Sequence, residues 1–189
     1  MGDDVQADRT AAARRVTLRP VDETVLALLV AAALADAGAN EVTPPVTPGE
    51  NWSPERVEWL RGLHRTRRAG LSGPAGEATW AIDVDGQVVG SVRLKRLDGP
   101  AVVETGMWLT RDARGRGIGG QALRAVLETA VAGGTRTVRA ETTRGNGAAL
   151  AVLSRLGFRF ADGEGETVRA VWLAPSDTRT ARGRAAEGE

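Results

Sequence analysis

The sequence predicts a mixed α/β domain, and three observations carry that expectation. Asp85-Gly86 and Asp98-Gly99 read as tight turns between apolar extended runs, which makes a meander of antiparallel strands. A glycine-rich loop, Arg114-Gly115-Arg116-Gly117-Ile118-Gly119-Gly120, then stands between an extended run and a long amphipathic helix pattern. Beyond it, extended runs and a short helical segment alternate to the end of the apolar pattern.

Taken in order, Val16-Thr17-Leu18-Arg19-Pro20 is a short strand stopped by proline. Val21-Asp22 leads into a helix through Val25, Leu26, Leu29, Val30 and Leu34, ending about Ala37-Gly38. A long connection follows, marked by Pro44, Pro45, Pro48 and Gly49. Ser53 as N-cap and Pro54 at the first helical position start the next helix, in which Val57, Trp59, Leu60, Leu63 and His64 keep helical spacing to about Ala69. Thr79–Val84, Gln87–Leu94 and Val102–Thr110 are the strands of the meander. After the glycine loop, Ile118, Ala122, Leu123, Ala125, Val126, Leu127, Thr129 and Val131 give a wide apolar helix face ending at Gly133-Gly134. Thr135–Thr142 alternates as a strand, the segment at Asn146 gives a short helix, and Phe158–Ala161 and Val168–Leu173 flank the turn at Asp162-Gly163.

A chain of 189 residues suits one domain, expected over residues 16–174. Residues 1–15 and 175–189 lack apolar residues able to anchor them and are expected to be flexible ends. Lys and Arg total 25 against 24 Asp and Glu, so no overall field favours nucleic acid or a membrane surface as partner. There is no cysteine, which excludes disulfides, thiol nucleophiles and thiolate metal sites. The single histidine, His64, sits in a run with Arg61, Arg65, Arg67 and Arg68 and reads as a solvated helix residue, so no metal centre is expected. No apolar stretch approaches a membrane span and the acidic opening Met1-Gly2-Asp3-Asp4 is unlike a signal peptide; a cytoplasmic location is the expectation.

The loop itself points to an anionic ligand, because glycines let consecutive backbone N–H groups approach a phosphate and Arg114 and Arg116 add positive charge. A P-loop needs a lysine followed by serine or threonine, and the only lysine, Lys95, lies in another segment. Gly115-Arg116-Gly117-Ile118-Gly119-Gly120 has the glycine spacing of a dinucleotide fingerprint, but the unit stands past the middle of the chain, outside a first βαβ unit. Arg-x-x-Gly-x-Gly, from Arg114 to Gly119, is the motif that remains.

That motif resembles the acetyl-coenzyme A loop of the GNAT superfamily of N-acetyltransferases. The segment Asn146-Gly147-Ala148-Ala149-Leu150-Ala151-Val152-Leu153-Ser154-Arg155-Leu156-Gly157-Phe158 is similar to a second motif of that family, and Glu104-Thr105-Gly106-Met107-Trp108-Leu109 is similar to the strand before the loop in the branch that acetylates ribosomal-protein N-termini. The resemblance spans roughly Val16 to Ala174 and implies a GNAT fold of order β-α-α-β-β-β-α-β-α-β-β, with a mostly antiparallel sheet splayed between its fourth and fifth strands. It implies acetyl-CoA as co-substrate, held by Arg114, Gly115, Arg116, Gly117, Ile118, Gly119 and Gly120 at the pyrophosphate, by the strand end Trp108, Leu109 and Thr110 at the pantetheine, and by Asn146.

Acetylating an amine requires its proton to be removed, and Glu104 and Glu141 are the candidate bases, each otherwise a surface carboxylate paired with an arginine. Where many members have a tyrosine to protonate the thiolate, this chain has Leu153 and contains no tyrosine at all; Ser154 beside it reads as a surface residue. Glu41, Glu50, Asn51 and Trp52 lie in the connection that faces the acceptor in the family, so Glu41, Glu50 and Trp52 are candidates for holding a cationic amine. The acceptor is expected to be a small-molecule amine, of the aminoglycoside-antibiotic or polyamine kind, or alternatively a protein N-terminus; a non-catalytic acetyl-CoA sensor is the third reading. A homodimer is compatible with the resemblance.

Overall fold

The computed structural model describes residues 15–99 and 101–175, so the expected flexible ends lie outside the described residues apart from Arg15 and Pro175. The elements follow as β1 (Val16–Pro20), α1 (Glu23–Asp36), α2 (Ala39–Val42), α3 (Pro54–Thr66), β2 (Glu77–Val84), β3 (Gln87–Arg96), β4 (Val102–Leu109), α4 (Ile118–Ala132), β5 (Thr137–Thr143), α5 (Gly147–Arg155), β6 (Arg159–Asp162) and β7 (Thr167–Leu173). The sequence reading differs in one element, the single turn α2, which interrupts the proline-rich connection. Local chemistry accounts for the helix starts. Asp22 accepts a hydrogen bond from the Val25 amide at 2.7 Å, and Ser53 accepts one from Arg56 ahead of Pro54.

The seven strands form one sheet in the order β1-β2-β3-β4-β5-β7-β6. Every pairing is antiparallel except β4 with β5, which is the pair joined by the crossover helix α4. One face of the sheet packs on α4 and α5. Its core combines Ile82, Val92, Leu94, Val103, Val138 and Ala170 with Ile118, Ala122, Leu123, Val126, Leu127 and Ala130 of α4. The buried stripe of α4 is narrower than its sequence pattern, for Val131 and Thr129 face solvent. The other face, over β2 to β4, is covered by α1 and α3 through Val25, Leu26, Leu29, Leu60, Ala81 and Trp108. Among the described residues no helix is long and apolar enough to cross a membrane.

The parallel pair ends early. β4 and β5 are in register only from Val102↔Thr137 to Thr105↔Ala140, after which Gly106–Leu109 and Glu141–Thr143 have no partner in each other. The implied splay between the fourth and fifth strands is therefore present.

Candidate functional site

Backbone donors converge at the end of β4. Leu97 N–H bonds to Val102 O and Thr110 N–H to Val89 O, so the alternation of the β3–β4 ladder points the amides of Glu104, Gly106 and Trp108 at β3. The amides of Met107 and Leu109 then point the other way, into the gap left by β5. Of the expected strand-end group, Leu109 alone presents its N–H to the gap; Thr110 is bonded to Val89 and Trp108 faces β3, while Met107 was missed because the phase of the ladder is not written in the sequence.

Beyond a short 3₁₀ turn at Arg111–Ala113, the glycine loop runs into α4. Gly115 and Gly117 have φ of 71° and 76°, a conformation that residues with a Cβ avoid. Gly117 is the N-cap, without a side-chain cap, so the amides of Ile118, Gly119 and Gly120 lack acceptors within the helix and sit at its positive end. A Cβ built on Gly115, Gly117 or Gly120 would meet nothing within 4 Å, so neither packing nor, at Gly120, φ explains the glycine. The open space above them leaves room for a close-lying ligand. A Cβ on Gly119 would stand at ordinary contact distance, 3.5 Å from Leu109 and 3.6 Å from Met107, where α4 rests on β4. Open amides, a helix N-terminus and the exposed Arg116 together fit a diphosphate.

Arg114 departs from the expectation. Its guanidinium is turned to Glu41 of α2, with Nη1 and Nη2 at 2.9 Å from the two carboxylate oxygens, and it also donates from Nε and Nη2 to the Leu109 carbonyl at 3.1 and 2.9 Å. It thus clasps α2 to the end of β4 rather than facing the loop. This bidentate pair, with a further hydrogen bond from Gly38 N–H at 2.8 Å, holds the Glu41 carboxyl down at about 2. Asn146 likewise has a local duty, since its Oδ1 caps α5 through Ala149 N–H at 3.1 Å.

A cavity of about 410 Å³ opens between α3 and the β2–β4 face of the sheet. Trp59, Leu63 and Trp108 supply apolar walls, and Gly106, bare of a side chain, lies beside Met107 where the cavity nears the unpaired half of β4. Its charged lining was not foreseen. Glu77 is 4% exposed and meets Arg67 Nε at 2.8 Å and Arg93 Nη1 at 3.7 Å, while Arg93 Nη2 also bonds Glu104 at 2.7 Å. The Arg67 contact is an ion pair without a well-directed hydrogen bond. Lys95 lines the same space. His64, expected in solvent, is 1% exposed and bonded through Nδ1 to Thr79 Oγ1 at 2.9 Å. Its neighbours Arg67 and Arg68 are not a free solvated face either, for they pair with Glu77 and Glu23, as Arg65 does with Glu23.

The two candidate bases stand on the same sheet face. Glu104 is opposite Arg139 of β5, and Glu141 lies two residues farther along β5, beyond the point where pairing stops. Glu104 is held by Arg93, itself a cavity residue, with its side chain 27% exposed, whereas Glu141 is 55% exposed and paired to Arg169 at 3.3 Å. Among the acceptor candidates, Glu41 reaches the cavity. Trp52 does not: its indole donates to Ala37 O at 2.9 Å and borders a separate groove with Leu34, Val57 and Arg61. Glu50 is exposed in the connection. Nothing in the local sequence marks Glu77 or Arg93 as cavity residues; their burial follows from where α3 lies on the sheet.

The family model described as acetyltransferase (GNAT) domain matches residues 15–159. No curated protein matches the chain. Among solved structures, RimJ of Mycobacterium smegmatis in complex with CoA-disulfide superposes with a TM-score of 0.69 at 23% identity, over 84% of this chain and 82% of that one. RimL, a ribosomal L7/L12 alpha-N-protein acetyltransferase in complex with coenzyme A, gives 0.64 at 18% over 84% and 93%. The Campylobacter jejuni N-acetyltransferase PseH in complex with acetyl coenzyme A gives 0.58 at 13% over 85% and 100%. These likenesses concern the fold. With a half-paired β4 leading into an open glycine cradle, and with most of its length matched by the family model, the chain belongs to the GNAT family of acetyltransferases.

Proposed function

We propose that the protein is an acetyl-CoA-dependent N-acetyltransferase in which the donor lies along the gap beside Met107 and Leu109, and a primary amine enters from the cavity under α3. The observation that carries this reading is the unpaired half of β4 leading, through one 3₁₀ turn, into the open glycine loop from Gly115 to Gly120. Coenzyme A complexes among the structural neighbours support the choice of donor.

In a ternary complex the amine nitrogen attacks the thioester carbonyl; the C–N bond forms, the C–S bond breaks, and the amine proton leaves through Glu104, directly or by one water. Strand-end amides stabilise the developing oxyanion. Leu153 lies in the core, so the departing thiolate, with a thiol pKa of ~8.5, takes its proton from solvent. We favour Glu104 over Glu141 as base because it is bonded to Arg93, which lines the cavity. Changing Glu104 to Gln should lower kcat/KM about 100-fold and shift the acidic limb of the pH–rate profile, with Glu141→Gln changing it less than about threefold. Equal, small effects of both would leave proton removal to water.

For the acceptor, a peptide N-terminus fits better than an aminoglycoside or polyamine. The cavity lining sets Arg67, Arg93 and Lys95 against Glu41 and Glu77, and Glu41 is already neutralised by Arg114, so a polycation finds no acidic pocket. The name of RimL supports the same choice. Release of coenzyme A from acetyl-CoA, measured with a free-amine peptide, spermidine and kanamycin, tests this. Donor binding without turnover on any amine would turn the reading to a sensor, and turnover on kanamycin alone would restore the antibiotic-acetylating one.

A further inference from the structure

His64 is the sole histidine, is 1% exposed, and has one nitrogen without a partner. Nδ1 is satisfied by Thr79 Oγ1 at 2.9 Å; Nε2 is buried and meets no donor or acceptor among the described residues. Buried polar atoms are rarely left so, and each such atom calls for a partner, whether a ligand group or an ordered water. His64 lines the cavity that also carries Trp59, Leu63 and Trp108 and borders Met107 of the splayed strand.

We propose that His64 Nε2 is an acceptor-recognition atom, forming a hydrogen bond to an uncharged polar group, a hydroxyl or an amide, carried by the amine substrate beside its apolar body. The inference rests on the acetyl-transfer reading above. A neutral ring binds such a group in either tautomer. If Nδ1–H donates to Thr79, Nε2 accepts; if the Thr79 hydroxyl donates to Nδ1, Nε2–H donates. Burial, and the charges of Arg67 and Arg68 next to it, lower the imidazole pKa to about 4, so the ring is neutral at physiological pH. The indole and leucine walls then favour a compact apolar carrier over a polycation.

A single histidine makes the test direct, because a histidine-labelled sample gives one set of ring nitrogen resonances. The probe is the tripeptide amide of serine followed by two alanines, added with coenzyme A so that no turnover occurs. Saturation should move the Nε2 resonance by several ppm, while coenzyme A alone leaves it in place. His64→Leu should raise the peptide KM about tenfold, with acetyl-CoA KM within about twofold and kcat within about threefold, as expected for loss of one hydrogen bond in binding. An unmoved resonance at saturating peptide, an unchanged peptide KM in His64→Leu, or acetylation of spermidine and kanamycin in preference to the peptide would each overturn the inference. If His64→Leu fails to fold, the wild-type resonance decides. Failure of the acetyl-transfer reading is distinguishable, since coenzyme A would then be released with none of these amines.

Discussion

At the residue scale, the burial that keeps His64 neutral also ties it to stability. Its pKa falls from 6.5 to about 4 on folding, so between these values the unfolded chain binds more protons than the native one. Stability is therefore full above the unfolded pKa and declines as pH drops from about 6.5 toward about 4. Between pH 7 and 5 the loss amounts to about 2 kcal/mol, to be read from urea unfolding at the two pH values, and His64→Asn should flatten it. The ion-paired carboxylates act in a different window. Glu23 and Glu41, lowered from 4.5 to about 2 chiefly by hydrogen bonds from arginines, contribute above about 4.5 and lose their contribution only below it. Arg116 gives the complementary test of the proposed donor loop. It is exposed and makes no ion pair among the described residues, so Arg116→Glu should weaken coenzyme A binding at least tenfold by calorimetry while moving Tm by less than about 2 °C. The sequence displayed the loop glycines and Arg116, because a positive φ and an open charge are local properties. It could not display Arg114 turning to Glu41, or His64 turning inward, since each depends on a segment many residues away.

At the element scale, the connection between α1 and α3 is held by one side chain. Arg56 is fully buried and carries no carboxylate partner among the described residues; it donates instead to Asn40, Thr43, Thr47 and the carbonyls of Thr47 and Gly49, at 2.8 to 3.3 Å. Removing it would strand the buried Thr43 hydroxyl, leave the other acceptors to water and open a void beneath the connection. Arg56→Ala should cost about 3–5 kcal/mol in chemical unfolding, and Arg56→Lys should recover little, because one ammonium cannot reproduce the planar fork. Helix starts and hairpin turns were legible, as Asp22, Ser53, Pro54 and Asp85-Gly86 act on their nearest neighbours. The fold of the connection was not, because prolines announce only that a regular element stops. The overlong reading of α3, to about Ala69 instead of Thr66, has a similar cause: Arg67 and Arg68 are good helix formers, but their side chains are drawn to Glu77 and Glu23.

At the scale of the molecule, the glycine loop and the cavity under α3 meet along one strand. The side chains of Met107 and Leu109 pack with the α4 core, Gly106 and Trp108 line the space under α3, and Arg114 joins the loop to α2. The element order along the chain and the mostly antiparallel sheet followed from turns and from resemblance, while the exchange of β6 and β7 at the sheet's end did not. The partition of β4 into a paired and an unpaired half depends on where β5 diverges, which no period in either strand records. Because a donor would bind the native state alone, acetyl-CoA at 100 times its Kd should add ~2.7 kcal/mol and raise Tm by about 5–10 °C; an unchanged melting curve would argue against the site.

The same unpaired half-strand bears on deuterium uptake. Met107 and Leu109 lie near the middle of a seven-stranded sheet, yet their amides have no carbonyl opposite them. In the free protein they should label within the time typical of surface loops, while Glu104 and Gly106, locked to β3, stay dark for orders of magnitude longer. Saturating coenzyme A should slow the first pair and leave the second as it was, which turns two backbone positions into a built-in meter of cofactor occupancy.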